Sequence, residues 1–295
     1  MTGKIFRKNG IVHILFLLPA LILFTLIVYY PLLSSVRYSV TDWTMRTSEY
    51  NYVGLKNFKE IFIDSLVRAG LKNTFIFALY ATFIGNSLAL VLAIILDKAL
   101  RLRNYFRALF YIPCLLSPII VSAVFGDIFR YRGIFNAVLD AIGLAVFVGE
   151  WFGSVSRALP MLILVNAWQW MGYGSVIYLA GLQTISQEYY EVARIEGLGP
   201  WATFLKVTFP LLMPSVTIMT FMSLTGGLKL FDIPFVLTKG GPGYATETLG
   251  TVIYKLAFTY EKFGFAMAVA IVFFACIMVL TVIQVSITRF YEVEL

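Results

Sequence analysis

Residues Ser186 to Pro214 read SQEYYEVARIEGLGPWATFLKVTFPLLMP, a polar stretch of mixed charge with an apolar run on either side. It parses into two short helices with a break. Ser186 can cap the first helix, Glu188 suits the positive end of its dipole, and Gly197 can take the positive φ that stops it. Gly199 and Pro200 restart the chain, with the proline in a first turn where no hydrogen-bond donor is lost. Such a hairpin presents Tyr189, Val192, Ala193, Trp201 and Phe204 from a loop, where they either pack on the chain's own bundle or fill a partner's groove. Residue spacing alone leaves both readings open.

Working outward, the flanking apolar runs cover about 158–182 and 211–237, each long enough at 1.5 Å per residue to cross a hydrocarbon core about 30 Å thick. Comparable runs cover about 74–96, 108–129 and 265–288, and another opens the chain from Ile11. The expectation is an all-α polytopic membrane protein of about six transmembrane helices. Composition agrees: 60% of residues are hydrophobic, 13% are charged and the mean hydropathy is +0.84. A soluble domain carries about 45–50% apolar and about 25% charged residues. The net charge of +7 sits in short basic clusters beside apolar runs, which reads as membrane topology and not as a nucleic-acid surface.

Residues 1–10, with Lys4, Arg7 and Lys8, read as a cytoplasmic N-terminus, and 11–36 as a first, uncleaved transmembrane helix. Residues 37–72 read as an external loop and 73–289 as a core of about five further spans. Within that core, 183–209 forms a cytoplasmic loop, and 290–295 is a cytoplasmic tail. Lys98, Arg101, Arg103 and Arg107 form the densest basic cluster and mark the cytoplasmic side. Pro113 and Pro118 should kink the third span or line a cavity. Residues 130–157 are too interrupted to span and read as external or re-entrant helices. Cys114 and Cys276 lack any metal-ligand spacing and read as small buried hydrophobes. His13 reads as an interfacial residue.

Polar residues inside spans mark a pathway or a helix contact. Asn166, Gln169, Trp170 and Tyr173 recur at i, i+3, i+4 and i+7 and share one helix face. Amides supply directional bonds to hydroxyls and aromatic faces stack on sugar rings, so the stripe suits a carbohydrate path. In the fifth span Thr220, Ser223 and Gly227 offer small hydroxyls and a gap; helix packing through small residues is the competing account. Lys229 and Asp232, three apart, could pair on a helix face, but their distance beyond Pro210 favours snorkelling at the external rim over an ion site.

The Ser186–Pro214 stretch resembles the EAA loop of permease subunits of binding-protein-dependent ABC importers, in which Glu-Ala-Ala is followed by Gly after three residues and later by Pro. Glu191, Ala193, Gly197 and Pro210 fall at matching places, and Val192 replaces the middle Ala. The resemblance runs from about Leu71 to Arg289 and includes Leu237-Thr-Lys-Gly-Gly-Pro242 and Thr246-Glu-Thr-Leu249, similar to the maltose-type first permease subunit. It implies the type I importer permease fold and ATPase coupling through Glu191, Ala193, Gly197 and Pro210. It also implies a bacterial or archaeal cytoplasmic membrane. The partners implied are a second homologous permease, two ATP-binding subunits, an extracytoplasmic solute-binding protein and a sugar, with membrane lipid around the spans. ATP and Mg would sit on the partner ATPase, and no cofactor on this chain, which has no GxxxxGK[ST] loop. The alternative is an ion-coupled secondary transporter of small polar solutes, for which internal repeats and midplane carboxylates are missing. An intramembrane enzyme lacks its motifs, and a channel leaves the hairpin without a role.

Overall fold

The computed structural model describes residues 15–46, 49–98 and 102–292. The expectations for Lys4, Arg7, Lys8, His13 and Arg101 lie outside the described residues. The chain divides into two units, one of residues 1–63 with 253–273 and one of 64–252 with 274–295.

In the first unit, α1 (Leu15–Ser39) is apolar around its whole circumference, and its most hydrophobic window buries no residue. A widened π turn at Thr25–Tyr29 precedes Pro31, whose ring would otherwise meet the carbonyl four residues back. The helix runs through Ser39, so the predicted loop starts later than residue 37. That loop is ordered by its polar side chains. Asn57, buried in the short α2 (Lys56–Glu60), donates to the carbonyls of Ser39 and Thr41 at 2.8 Å each. The Asp42 carboxylate accepts from the Asn51 backbone N–H at 2.6 Å, which holds its pKa below the usual carboxylate value. Trp43 packs on Phe263 with ring centroids 5.2 Å apart, and Arg46 pairs with Glu261.

In the second unit, α3 (Ser65–Asp97) starts well before the predicted residue 74. The Asp64 carboxylate caps it by accepting from the Val67 N–H at 2.9 Å, and Leu66, Val67 and Gly70 are buried. The charges at Arg68 and Lys72 hid this first stretch in the sequence. After it come α4 (Arg103–Leu115) and α5 (Pro118–Ile128), bent by 97°. The expected kink is a full break. Proline at 118 pushes Ser117 into an extended conformation, and the Ser117 hydroxyl then caps Ile119 N–H at 3.3 Å. Cys114 and Cys276 are half-buried free thiols, not fully buried ones.

Residues 130–157 form the short α6 (Ile134–Ala141) and one 3-10 turn, tied around buried Asn136. Asn136 donates to the carbonyls of Tyr131 and Gly149 at 2.9 Å each and accepts from Trp151 Nε1 at 2.8 Å. The following α7 (Ala158–Thr184) is the central helix. Beyond it lie α8 (Gln187–Ile195), α9 (residues 200–211), α10 (Met213–Leu228), α11 (Asp232–Leu237), α12 (Leu249–Thr259) and α13 (Phe263–Phe290).

Four helical stretches among the described residues are long and apolar enough to cross a membrane: α1, α3, α10 with α11, and α13; the bent pair α4–α5 makes a fifth. At 27 residues α7 is about 40 Å long, which is also sufficient. Its amide and aromatic residues keep it out of the apolar set. With α7 the number of crossings is about six.

Small residues let α7 sit tightly on its neighbours. Ala89 and Ala93 of α3 pack with Tyr178, Leu179 and Leu182 of α7 and with Leu212 and Met219. A second cluster joins Phe77 and Ala81 of α3 to Leu159, Leu162 and Ile163 of α7 and Ile233 of α11. In a bilayer such packing, with interhelical hydrogen bonds, replaces the hydrophobic effect as the force between helices.

Candidate functional site

A cavity of about 520 Å³ opens between α3, α7, α10 and α11. Asn166, Gln169, Trp170 and Tyr173 line it from α7, and Ser223 and Gly227 from α10. Trp170 and Tyr173 form an aromatic corner with ring centroids 6.0 Å apart at 90°. The Tyr173 hydroxyl donates to Met222 Sδ at 3.6 Å.

Gln169 is 0% exposed. Its Nε2 donates to the Leu116 carbonyl at 3.1 Å, the acceptor left free where α4 ends, so this side chain closes the break in the third span. Its Oε1 is buried and has no partner.

Thr220 does not line the cavity. Asn86 of α3 donates to Ser223 Oγ at 3.2 Å and to Thr220 Oγ1 at 3.5 Å, so these hydroxyls join two helices. For Thr220 the packing account holds. Gly227 serves the same contact, since a Cβ there would stand 2.9 Å from Ala78 Cα. Asn86 itself also lines the cavity, and the sequence signalled it only as one amide in an apolar run.

Lys229 and Asp232 do not pair on a helix face. The helix stops between them: Lys229 follows α10 and Asp232 begins α11. Both are exposed and both line the cavity. Arg130 pairs with Asp127 at 3.5 Å.

The Ser186–Pro214 stretch folds into two short helices with a break. Ser186 Oγ accepts from Glu188 N–H at 3.4 Å, α8 ends at Ile195 with Glu196 as its C-cap, and Gly197 takes φ +71°. Pro200 occupies the first turn of α9, and Pro210 lies near its end. Glu191 and Gly197 are exposed. Tyr189, Val192 and Trp201 are exposed apolar groups, Trp201 at 71%, with Phe204 half-buried and stacked on Trp201 at 5.7 Å. Ala193 departs from the expectation: at 2% exposure it is turned inward, where a bare methyl lets α8 lie close to the rest of its unit. Ile195, unremarked in the sequence, is 85% exposed and adds to the apolar surface. The hairpin is continuous with α7 through Ile185 and Ser186 and with α10 through Leu212, so the helices it carries are two of the cavity's walls.

Residues 81–292 match the family described as binding-protein-dependent transport system inner membrane component. The chain is 33% identical over 290 residues to a probable starch degradation products transport system permease protein of Thermoanaerobacterium thermosulfurigenes, covering 98% of each. It is 34% identical to a lactose transport system permease protein of Rhizobium radiobacter, over 92% of this chain and 91% of that one. Its fold is similar to a chain in the crystal structure of a bacterial alginate ABC transporter in complex with alginate pentasaccharide-bound periplasmic protein. The TM-score is 0.85 at 20% identity, with 100% and 99% of the two chains covered. Nothing in these likenesses favours the ion-coupled alternative. A match over most of the chain, together with near full-length relatives, places this protein in the family of binding-protein-dependent transport system inner membrane components, as a multi-pass permease subunit of an inner-membrane ABC transporter.

Proposed function

We propose that this chain, with a second homologous permease, passes a neutral mono- or oligosaccharide through the cavity beside α7, after delivery by an extracytoplasmic binding protein. Two ATP-binding subunits hold ATP and Mg and hydrolyse the nucleotide. The chain itself transmits their motion and performs no chemistry. The observation that carries this reading is the convergence of an aromatic corner with Asn86, Asn166 and Gln169 on one cavity of about 520 Å³. That is the mixture of stacking surface and directional polar groups a sugar requires. Relatives named for starch products and lactose support the same cargo class. Lys229 and Asp232 bring one charge of each sign to the wall and Arg130 is paired, which suits an uncharged cargo better than an acidic one.

The coupling follows from connectivity. The exposed surface of Tyr189, Val192, Ile195 and Trp201 seats the hairpin in a groove of the ATPase, with Glu191 and Gly197 at the docking edge. When the ATPase grooves move, α8 and α9 move as a stiff unit and carry α7 and α10 with them. Trp170 lies roughly 24 Å along α7 from Ser186, so a small tilt at the hairpin becomes a change of access at the cavity.

Transport by the assembled complex in proteoliposomes tests the cavity. Trp170→Ala should lower saccharide uptake about three- to tenfold, the range of one lost aromatic contact, while basal ATP hydrolysis stays as in the wild type. Unchanged uptake of every saccharide tried would remove the cavity from the path.

A further inference from the structure

The chain leaves α7 for the hairpin by a joint and returns to α10 by a rod. Ile185 (φ −75°, ψ 119°) and Ser186 (φ −61°, ψ 142°) are both extended, so helical backbone does not run from α7 into α8. On the return side the helical bonds continue: the Thr208 carbonyl accepts from Leu212 N–H at 2.9 Å, and the Leu212 carbonyl accepts from Val216 N–H at 3.1 Å. Backbone stiffness therefore links the hairpin to α10 and not to α7. Whatever moves α7 with the hairpin acts through side chains.

On α8, Tyr190 is half-buried and Ala193 buried, whereas Val192 and Ile195 are exposed. Tyr190 packs against the cluster that holds Ala89 and Ala93 of α3, Tyr178, Leu179 and Leu182 of α7, and Leu212 just ahead of α10. Its hydroxyl accepts from Thr208 Oγ1 at 3.4 Å. Thr208 is buried and closes the π turn Phe204–Thr208 of α9, and such widened turns recur at functional sites. One side chain thus joins the two arms of the hairpin to the core at the base of α7. We infer that Tyr190, oriented by Thr208, is the positioning residue that carries the hairpin's motion to α7. A tyrosine ring has two rotatable angles, and the bond to Thr208 restrains its swing, so a shift of α8 is passed on across the Ile185–Ser186 joint. This role rests on the docking of the hairpin to an ATPase and supplies the route from there to the cavity wall.

Hydrogen–deuterium exchange on the complete transporter complex, free of nucleotide and then trapped with ATP and vanadate, tests this route. No cargo is needed, so the result stands apart from the saccharide reading. In the wild type, trapping should alter exchange in α8 and in residues 176–184 of α7. In Tyr190→Leu the change in α8 should persist, and the change at 176–184 should fall roughly tenfold. Tyr190→Phe keeps the ring and loses only the bond to Thr208, so a drop of about two- to threefold is expected there. A side chain that only fills space would, once shortened, raise exchange equally in both states and leave the trapping-dependent difference as in the wild type. That outcome in Tyr190→Leu overturns the role. Loss of the α8 change in the same variant also overturns it, since docking and not transmission would then have failed. Should Tyr190→Leu not assemble, Tyr190→Phe and Thr208→Val decide: both should show the smaller drop, and an undiminished change at 176–184 in both overturns the role. A wild type in which trapping leaves α8 unaltered would remove the docking of the hairpin itself, and the role of Tyr190 with it.

Discussion

Gly197 holds φ at +71° with open space where a Cβ would stand, so backbone conformation alone restricts the position. Valine there costs roughly 1–2 kcal/mol and loosens the angle between α8 and α9. Gly197→Val should therefore reduce stimulation of the ATPase while the chain still inserts and assembles; full stimulation in the assembled variant would deny the turn its part in coupling. Asn86→Ala removes the bonds from α3 to Ser223 and Thr220 and should cost roughly 0.5–2 kcal/mol, seen as a lower Tm in detergent. An unchanged Tm would mean that the contact adds nothing. Gly197 and Ser186 were legible in the sequence because cap and turn chemistry is local. Asn86 was not, because a lone amide acquires meaning only when α10 is brought alongside. For Lys229 and Asp232, the pairing account assumed a continuous helix where the chain breaks.

The third span shows how an element can be half readable. Pro113 and Pro118 announced a disturbance, but the 97° bend depends on a partner over fifty residues away, Gln169, which takes the free Leu116 carbonyl. Gln169→Leu keeps the bulk and leaves that carbonyl unpaired, so it should destabilise the chain by roughly 1–3 kcal/mol, measured as a drop in Tm of the purified complex. A variant as stable as the wild type would show that the break holds itself open. The same side chain explains why α7 carries polar residues along a crossing: Gln169 serves the architecture with Nε2 and leaves Oε1 unpaired. The start of α3 was hidden for the opposite reason, since Arg68 and Lys72 are charged residues on a helix whose other face is buried.

Across the whole chain, length and composition suffice for a helical membrane protein because a 30 Å core leaves few ways to arrange such apolar runs. The division into two units and the cavity that α7 and α10 share with α3 lay beyond them, since both depend on contacts distant in sequence. The central claim is that this hairpin carries ATPase motion to the cavity walls. The most direct test assembles the chain with its second permease and ATPase subunits and compares ATP hydrolysis with and without sugar-loaded binding protein, in wild type and Glu191→Ala. Stimulation in the wild type that falls roughly tenfold in the assembled variant, the scale of one lost charge-assisted hydrogen bond, is the predicted result. Equal stimulation in the two, or an ATPase that never joins the complex, would contradict it.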